Sequence, residues 1–277
     1  MDTTTRTKGN AALAAAMMAS LGLGAAAAAQ AGEADSDWQF RIIGYAYVPD
    51  IDGTARIPAG GTADIAISAQ DLIDNTHAAG MAAFEAQKGR FGGFVDLIYM
   101  NVGDSIHDSP AIGAGSLPLP PGITADAKLD VEATVLTFGA SYRAVASEAA
   151  TLDVFAGARQ LDAKTTLHWA FSAPFGPFVG SAQAGKASVS GDGWDGIAGV
   201  KGEFTFGGER RWFVPFYADA GTGDSDLTWQ AAAGVGYRFE KFEVVGTWRT
   251  LRYEFDSNSR LENLDMNGPA IGVSYRW

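Results

Sequence analysis

The sequence predicts an all-β protein: an antiparallel transmembrane β-barrel of ten strands, with eight or twelve strands as alternatives. Three observations predict it, namely long runs of alternating apolar and polar residues, connections that alternate between short and long, and aromatic residues that recur at one end of the strands. Successive side chains of an extended strand point to opposite faces, so each alternating run has one apolar face. Tandem strands of this length suit a sheet closed around a polar interior in lipid.

The alternation is clearest in residues 226–277. Every odd position from Leu227 to residue 239 is apolar or aromatic, and every even position between them is small or polar. A second run begins at Phe242, and a third ends the chain at Trp277. These runs predict the three closing strands of the barrel.

Read in the same way, the whole chain yields ten strands. They span residues 37–48, 76–87, 90–102, 129–145, 151–161, 193–206, 211–220, 226–239, 242–255 and 268–277. The connections after the second, fourth, sixth and eighth strands are short and the others are mostly longer, as in barrels with short periplasmic turns and long extracellular loops. An even count then places both termini in the periplasm. Within the connection 49–75, Ser68 and Asp71 have the spacing of a capping box, which predicts one short helical turn.

Aromatic residues mark the predicted periplasmic ends of the strands. The set is Trp38, Phe91, Tyr142, Trp212, Phe239, Phe242, Tyr275 and Trp277. Amphipathic rings prefer the headgroup zone, so they indicate one aromatic girdle. Alternation alone also fits a soluble sandwich or a lipocalin-like barrel, whose apolar face would point inward. The girdle, the strand length and the small, Gly-rich inner set favour the membrane barrel.

Composition and the first residues indicate an exported chain. The 277 residues carry a net charge of −12, which argues against nucleic-acid binding. The chain has no Cys, which excludes disulfides and thiolate metal sites. Arg6 and Lys8 precede the apolar run 11–29, and residues 29–31 form an A-x-A site. This pattern predicts a signal peptide, 1–31, cleaved near Ala31, rather than a membrane anchor, and leaves 32–277 as a single barrel domain. No later run is long enough for a transmembrane helix.

The last six residues resemble the C-terminal assembly signal of bacterial outer-membrane proteins: Gly272, two residues, Tyr275, one residue and a terminal Trp277, with Ala270 where a polar residue is usual. More widely, residues 32–277 resemble an uncharacterised family of proteobacterial outer-membrane β-barrel proteins, porin-like or opacity-like surface barrels. The residues that carry this resemblance are Gly53-Thr54, Asp71-Leu72-Ile73, Phe84-Glu85, 95–99, 219–221, 228–230, Trp248-Arg249 and Gly268-Pro269. The resemblance implies a barrel in a Gram-negative outer membrane. The expected partners are lipid, lipopolysaccharide and the barrel assembly machinery, the last through Gly272, Tyr275 and Trp277. The family has no activity to carry over.

Charged residues of both signs occupy predicted inner-face positions. They are Glu85, Asp96, Arg143, Asp153, Arg159, Asp195, Lys201, Glu203, Asp219, Arg238, Glu243, Arg249 and Arg276. Charges in a narrow interior are costly unless paired, so they predict either an ion-pair network that fills the lumen or the lining of a narrow hydrophilic pore. Ten strands leave too little room for a wide general porin. The expected function is a non-catalytic, monomeric barrel, structural and surface-exposed or passing small solutes.

An alternative function is hydrolysis at the rim. His107 lies among Asp104, Ser105 and Asp108 at the predicted extracellular end of a strand, where some outer-membrane proteases and lipid A deacylases place catalytic groups. Residues this close in sequence seldom form a triad, and a solvated polar loop explains them as well. His77 is expected to face inward and His168 to lie in a loop. No acidic segment has the spacing of an EF-hand loop, so no metal or cofactor is expected.

Overall fold

The computed structural model describes residues 37–56, 62–106, 124–172, 183–257, 259 and 261–277. The predicted signal peptide 1–31 and His107 lie outside these residues. Within them the chain forms twelve β-strands and one helix, α1. Their bounds are β1 Trp38–Tyr47, β2 Asp50–Arg56, β3 Thr62–Ile67, α1 Ala69–Asn75, β4 Thr76–Lys88, β5 Phe91–Ile106, β6 Thr124–Ala146, β7 Ala150–Ser172, β8 Gln183–Phe206, β9 Trp212–Gly223, β10 Leu227–Arg238, β11 Phe242–Glu254 and β12 Leu261–Arg276.

Ten of these strands, β1 and β4 to β12, close into an antiparallel barrel, which confirms the predicted fold and strand count. β1 closes the ring because it pairs on one edge with β4, Trp38 opposite Lys88, and on the other with β12, Arg41 opposite Arg276. Closure pairs both edges of every barrel strand, so no backbone edge needs to face lipid. Among the described residues no helix is long and apolar enough to cross a membrane.

The prediction that 49–75 is a connection with one helical turn misses two strands, β2 and β3. β2 continues β1 after a break at Pro49 and pairs with the upper part of β12, Asp50 opposite Asn267, and β3 then folds back on β2. The turn-forming residues after Pro49 hide this hairpin in the sequence, because their pairing with β12 is long-range. The helical turn itself is confirmed by α1. Ser68 Oγ accepts the Asp71 N–H at 3.2 Å, and Asp71 Oδ2 accepts the Ser68 hydroxyl at 2.6 Å.

Four barrel strands are longer than predicted by six residues or more. β12 has 16 residues and begins at Leu261, within the predicted connection 256–267. β6 and β7 have 23 residues each and β8 has 24, and they stay paired from residues 124 and 172 down to the short turns. The predicted connection 162–192 is therefore largely strand, and His168 lies in β7 rather than in a loop. The odd positions of the β7 extension are apolar except Thr165, so the alternation continues with one interruption. Pairing between neighbouring strands satisfies the backbone of the extension.

The two ends of the barrel differ. Four short turns, after β4, β6, β8 and β10, share one end with both described termini, and this end carries the eight aromatic residues of the predicted girdle. We call it the girdle end and the opposite end the loop end. At the first turn Gly89 adopts φ 58°, a left-handed conformation that glycine enters without steric cost.

Candidate functional site

Side chains fill the lumen in four layers from the girdle end to the loop end. The inner face of β7 passes through all four, with Asp153, Phe155, Arg159 and Leu161 in this order, each 6% exposed or less. Alternate residues of a strand share a face, so a single strand contributes to a charged, an aromatic, a second charged and an apolar layer in turn.

The first layer, the girdle-end charge cluster, contains four cations and three carboxylates. Its members are Arg41, Glu85, Lys201, Glu203, Arg238, Glu243 and Arg276. Three guanidinium groups converge on Glu243: those of Arg41 at 2.8 Å, Arg238 at 2.6 Å and Arg276 at 3.0 Å. Lys201 Nζ donates to Glu85 Oε1 at 2.6 Å, although β8 and β4 stand four places apart in the ring of strands. This bond therefore crosses the lumen.

Beside this cluster, Arg143 and Asp153 form a two-pronged ion pair between neighbouring strands. Arg143 Nε donates to one carboxylate oxygen at 2.7 Å and its terminal nitrogen to the other at 3.0 Å. Planar guanidinium and carboxylate groups match in this geometry, which is the strong form of the interaction.

The second layer is aromatic. The rings of Phe94 and Phe155 meet edge to face at 5.0 Å between centroids, and Phe155 and Tyr217 stack at 5.2 Å. Lys201 Nζ lies 4.5 Å from the centroid of Phe94, so the lysine links the aromatic layer to the charge cluster.

In the third layer Arg159 is fully buried, at 0% exposure. Its guanidinium pairs with Asp219 and donates to Thr137 at 3.2 Å and to Thr228 at 3.1 Å. A longer contact of 3.4 Å reaches Gln230. Burying a guanidinium requires partners for its donors, and residues of three strands, β6, β9 and β10, supply them.

Arg249 completes the third layer from the opposite wall. It donates to Asp96 Oδ2 and to Gln230 Oε1, each at 2.8 Å, and to the Tyr45 hydroxyl at 2.9 Å. Tyr45 in turn donates to the other Asp96 oxygen at 2.6 Å. β11 and β5 stand four places apart in the ring, so the pair of Arg249 and Asp96 is a second crossing of the lumen.

The fourth layer, the loop-end core, is apolar. Its buried members are Tyr47, Ile51, Leu72, Ile98, Met100, Val102, Val135, Leu161, Leu251, Tyr253 and Met266. Leu72 of α1 is 4% exposed in this core, so the helix docks on the loop-end core through this side chain. The Tyr47 hydroxyl donates to the carbonyl of Met266 at 2.8 Å, which satisfies a polar group inside the apolar layer.

The structure gives each of the thirteen charged residues predicted for the inner face at least one partner. In the first layer these are Glu85, Lys201, Glu203, Arg238, Glu243 and Arg276, with Arg143 and Asp153 beside them, and in the third they are Asp96, Arg159, Asp219 and Arg249. Asp195 is 3% exposed and accepts the Ser225 N–H at 2.9 Å.

Sequence reasoning missed Arg41, Tyr45 and the loop-end core. Arg41 and Tyr45 lie on a β1 face that also carries Ile43, and this mixture hid their polar partners across the lumen. The strand register places Arg41 between Glu85 of β4 and Arg276 of β12, and this register depends on the stagger of the strands rather than on a local pattern.

The eight girdle aromatics all lie at the girdle end with exposed rings. Their exposed fractions run from 40% to 71%, for Trp38, Phe91, Tyr142, Trp212, Phe239, Phe242, Tyr275 and Trp277. Several are in contact: Phe239 stacks on Phe242 at 4.5 Å and Tyr275 on Trp277 at 5.7 Å. The exposed rings therefore mark this end of the barrel in several contacting groups.

Within the described ranges no group of three or more His, Asp or Glu residues could hold a metal ion. His77 and His168 lie on strands β4 and β7.

The fold defines a class of protein, the closed antiparallel β-barrel known from outer membranes. The chain is similar to the outer membrane protease OmpT from Escherichia coli, with a TM-score of 0.54 and 10% identity over 90% of this chain and 100% of that chain. The transport unit of the autotransporter AIDA-I from Escherichia coli and the attachment invasion locus protein Ail of Yersinia pestis match with TM-scores of 0.35 and 0.29. The AIDA-I unit is 9% identical over 96% of this chain and 98% of its own length. Ail is 12% identical over 89% of this chain and 100% of its own length. The likeness to OmpT shows the fold alone, and the two lower scores carry no argument. No family model and no curated protein matches the sequence.

Proposed function

We propose that this chain is an outer-membrane barrel whose lumen is sealed, and that it serves as a structural, surface-exposed protein without catalysis. The observation that carries the proposal is the loop-end core, an apolar layer that crosses the lumen. Ile98, Leu251 and Tyr253 are each 0% exposed there. A path for water or small solutes would have to pass through this layer.

The third layer supports the same reading. Arg159 and Arg249 reach into the lumen from β7 and β11, and both share Gln230 as a partner. Opening a path between them would strip buried charges of their hydrogen bonds, which costs several kcal/mol. These buried charges therefore favour a closed lumen over a narrow passive channel.

Planar-bilayer conductance of the refolded chain tests this proposal. We expect no current steps from protein whose folding is checked by its heat-dependent gel migration, in bilayers where a known porin gives steps. Regular steps from well-folded chain would replace the sealed barrel by a narrow channel for small solutes.

The outward surface supports a membrane location. Phe91, Trp248 and Ile271 are 71%, 56% and 63% exposed, an arrangement that is unfavourable in water and favourable in lipid. We place the girdle end in the periplasm and the loop end outside the cell, with lipid and lipopolysaccharide as surroundings and the assembly machinery engaged through Gly272, Tyr275 and Trp277. Recovery of the chain in a soluble fraction without detergent would contradict this.

Hydrolysis at the rim is the competing function and depends on His107, which lies outside the described residues. It requires that wild-type protein hydrolyse a lipid or a peptide and that His107→Ala abolish the activity. We expect the wild-type chain to show no such activity. A hydrolysis rate that falls in His107→Ala while the barrel stays folded would favour the enzyme instead.

A further inference from the structure

The girdle-end half of the lumen contains a cavity of about 310 Å³. Its polar lining includes Arg41, Arg143, Lys201 and Arg276, against the carboxylates of Glu85, Asp153 and Glu203. Arg276 and Glu85 are 42% and 30% exposed at the side chain, so solvent reaches the cavity from the girdle end.

The charges around this cavity do not balance. Four cations of the girdle-end charge cluster face three carboxylates, and three of the cations share the carboxylate of Glu243. The ion pair between Arg143 and Asp153 is neutral and leaves the excess unchanged. A local surplus of positive charge therefore exists in a chain whose net charge is −12.

The aromatic layer forms the floor of the cavity. Tyr217 lines it, and Phe94 of β5 and Phe155 of β7 pack against Tyr217. A solute that enters from the girdle end would meet this floor and remain among the guanidinium groups. The geometry is that of a closed binding pocket rather than a passage.

We propose that this cavity binds a small soluble oxyanion, a phosphate or a short carboxylate, from the compartment that the girdle end faces. Guanidinium groups match such oxyanions in shape and in hydrogen-bond donors, and one negative charge neutralises the surplus. The cavity has the volume of about ten liquid waters, enough for a phosphate with part of its hydration shell. This site adds a ligand to the barrel and does not depend on whether the lumen conducts.

Titration calorimetry tests the site with the full chain refolded in a phosphate-free detergent. Inorganic phosphate is titrated at constant ionic strength, so that general screening does not change. We expect saturable binding at one site per chain. Arg276→Gln and Lys201→Gln should each weaken it about tenfold, because each removes the surplus charge. Glu203→Gln should tighten it, because it adds a second uncompensated cation.

Arg210→Gln is the matched control. Arg210 lies in the turn after β8 at the same end of the barrel, pairs with Glu148 and does not line the cavity. Its affinity should equal that of wild type. An absence of saturable binding, or an equal loss in Arg210→Gln and in both cavity variants, would overturn the proposal. A second arm titrates a short-chain phosphatidic acid, and binding of this lipid without binding of free phosphate would overturn the assignment to a soluble ion.

Discussion

Removing Arg159 should destabilise the barrel more than any change on its rim. In Arg159→Met the carboxylate of Asp219, whose side chain is 0% exposed, stays buried without its cation. Thr137 and Thr228 also lose the donor that reaches them at 3.2 and 3.1 Å. Breaking a buried ion pair from one side costs about 3 to 5 kcal/mol, and we expect the free energy of unfolding to fall by that amount.

A double variant separates the pair from simple loss of packing. Adding Asp219→Asn to Arg159→Met removes the stranded charge, so most of the lost stability should return. Equilibrium urea unfolding in lipid vesicles measures both variants, followed by the fluorescence of the seven Trp residues. Arg210→Met is the control, because Arg210 pairs with Glu148 while 51% exposed, and surface pairs contribute about 1 kcal/mol or less.

Two results would refute this reasoning. If Arg159→Met costs no more than Arg210→Met, the central pair does not stabilise the lumen. If the double variant is as unstable as the single one, the loss comes from packing alone and the charge of Asp219 is irrelevant.

Three further changes probe the wall, the mouth and the terminus. A Cβ at Gly157 would lie 1.9 Å from the carbonyl oxygen of Phe138, so Gly157→Ala should not reach the heat-modifiable folded form. Gly44→Ala is the control, because a Cβ at Gly44 has no atom within 4 Å, and it should fold as wild type does. Leu72→Ala should lower the free energy of unfolding by about 2 to 5 kcal/mol in urea titrations, the cost of a buried leucine; an unchanged midpoint would mean that α1 is only loosely docked. Deletion of Trp277 should sharply reduce the folded barrel recovered in the outer-membrane fraction of cells, and a normal yield would contradict its role in assembly.

The strand count could be predicted because lipid constrains one face of every barrel strand. In β10 and β11 the outward positions must stay apolar, and the inward ones are small or polar where the lumen is narrow. That constraint is local and has a period of two, so it can be read from residues such as Val235 and Trp248 without knowing their neighbours.

Strand pairing outside the lipid-facing part of the barrel could not be predicted. β2 forms because Asp50 to Thr54 meet the upper part of β12, more than two hundred residues away. The extension of β7 past Leu161 depends likewise on its neighbours β6 and β8. Both stretches alternate only briefly, around Ile51 in β2 and from Leu167 in β7, beside turn-forming or polar residues, so the alternation alone does not reveal them as paired strands.

The candidate site shows the same division. Arg249 and Asp96 could be assigned to the lumen from the strand faces on which they lie. Their pairing could not be predicted, because they are 153 residues apart and the stagger of the strands decides which inward cation meets which carboxylate. The loop-end core was hidden for another reason. From Val95 to Val102 most residues of β5 are apolar on both faces, so alternation no longer separates the inner from the outer set.

The sequence of layers also indicates where the barrel obtains its internal stability. Buried ion pairs seldom stabilise a fold relative to well-packed apolar residues, since desolvation offsets most of their attraction. Side chains such as Ile98 and Leu251, both 0% exposed, carry no such penalty, and burial of each contributes about 1.5 to 3 kcal/mol. The loop-end core thus acts as the core of a small soluble domain enclosed by the barrel wall. The charged layers contribute differently, because each cation accepts only a partner at the right height and angle, which favours one strand register over its neighbours. Stability from the apolar half and register from the charged half would together account for the sealed lumen that we propose.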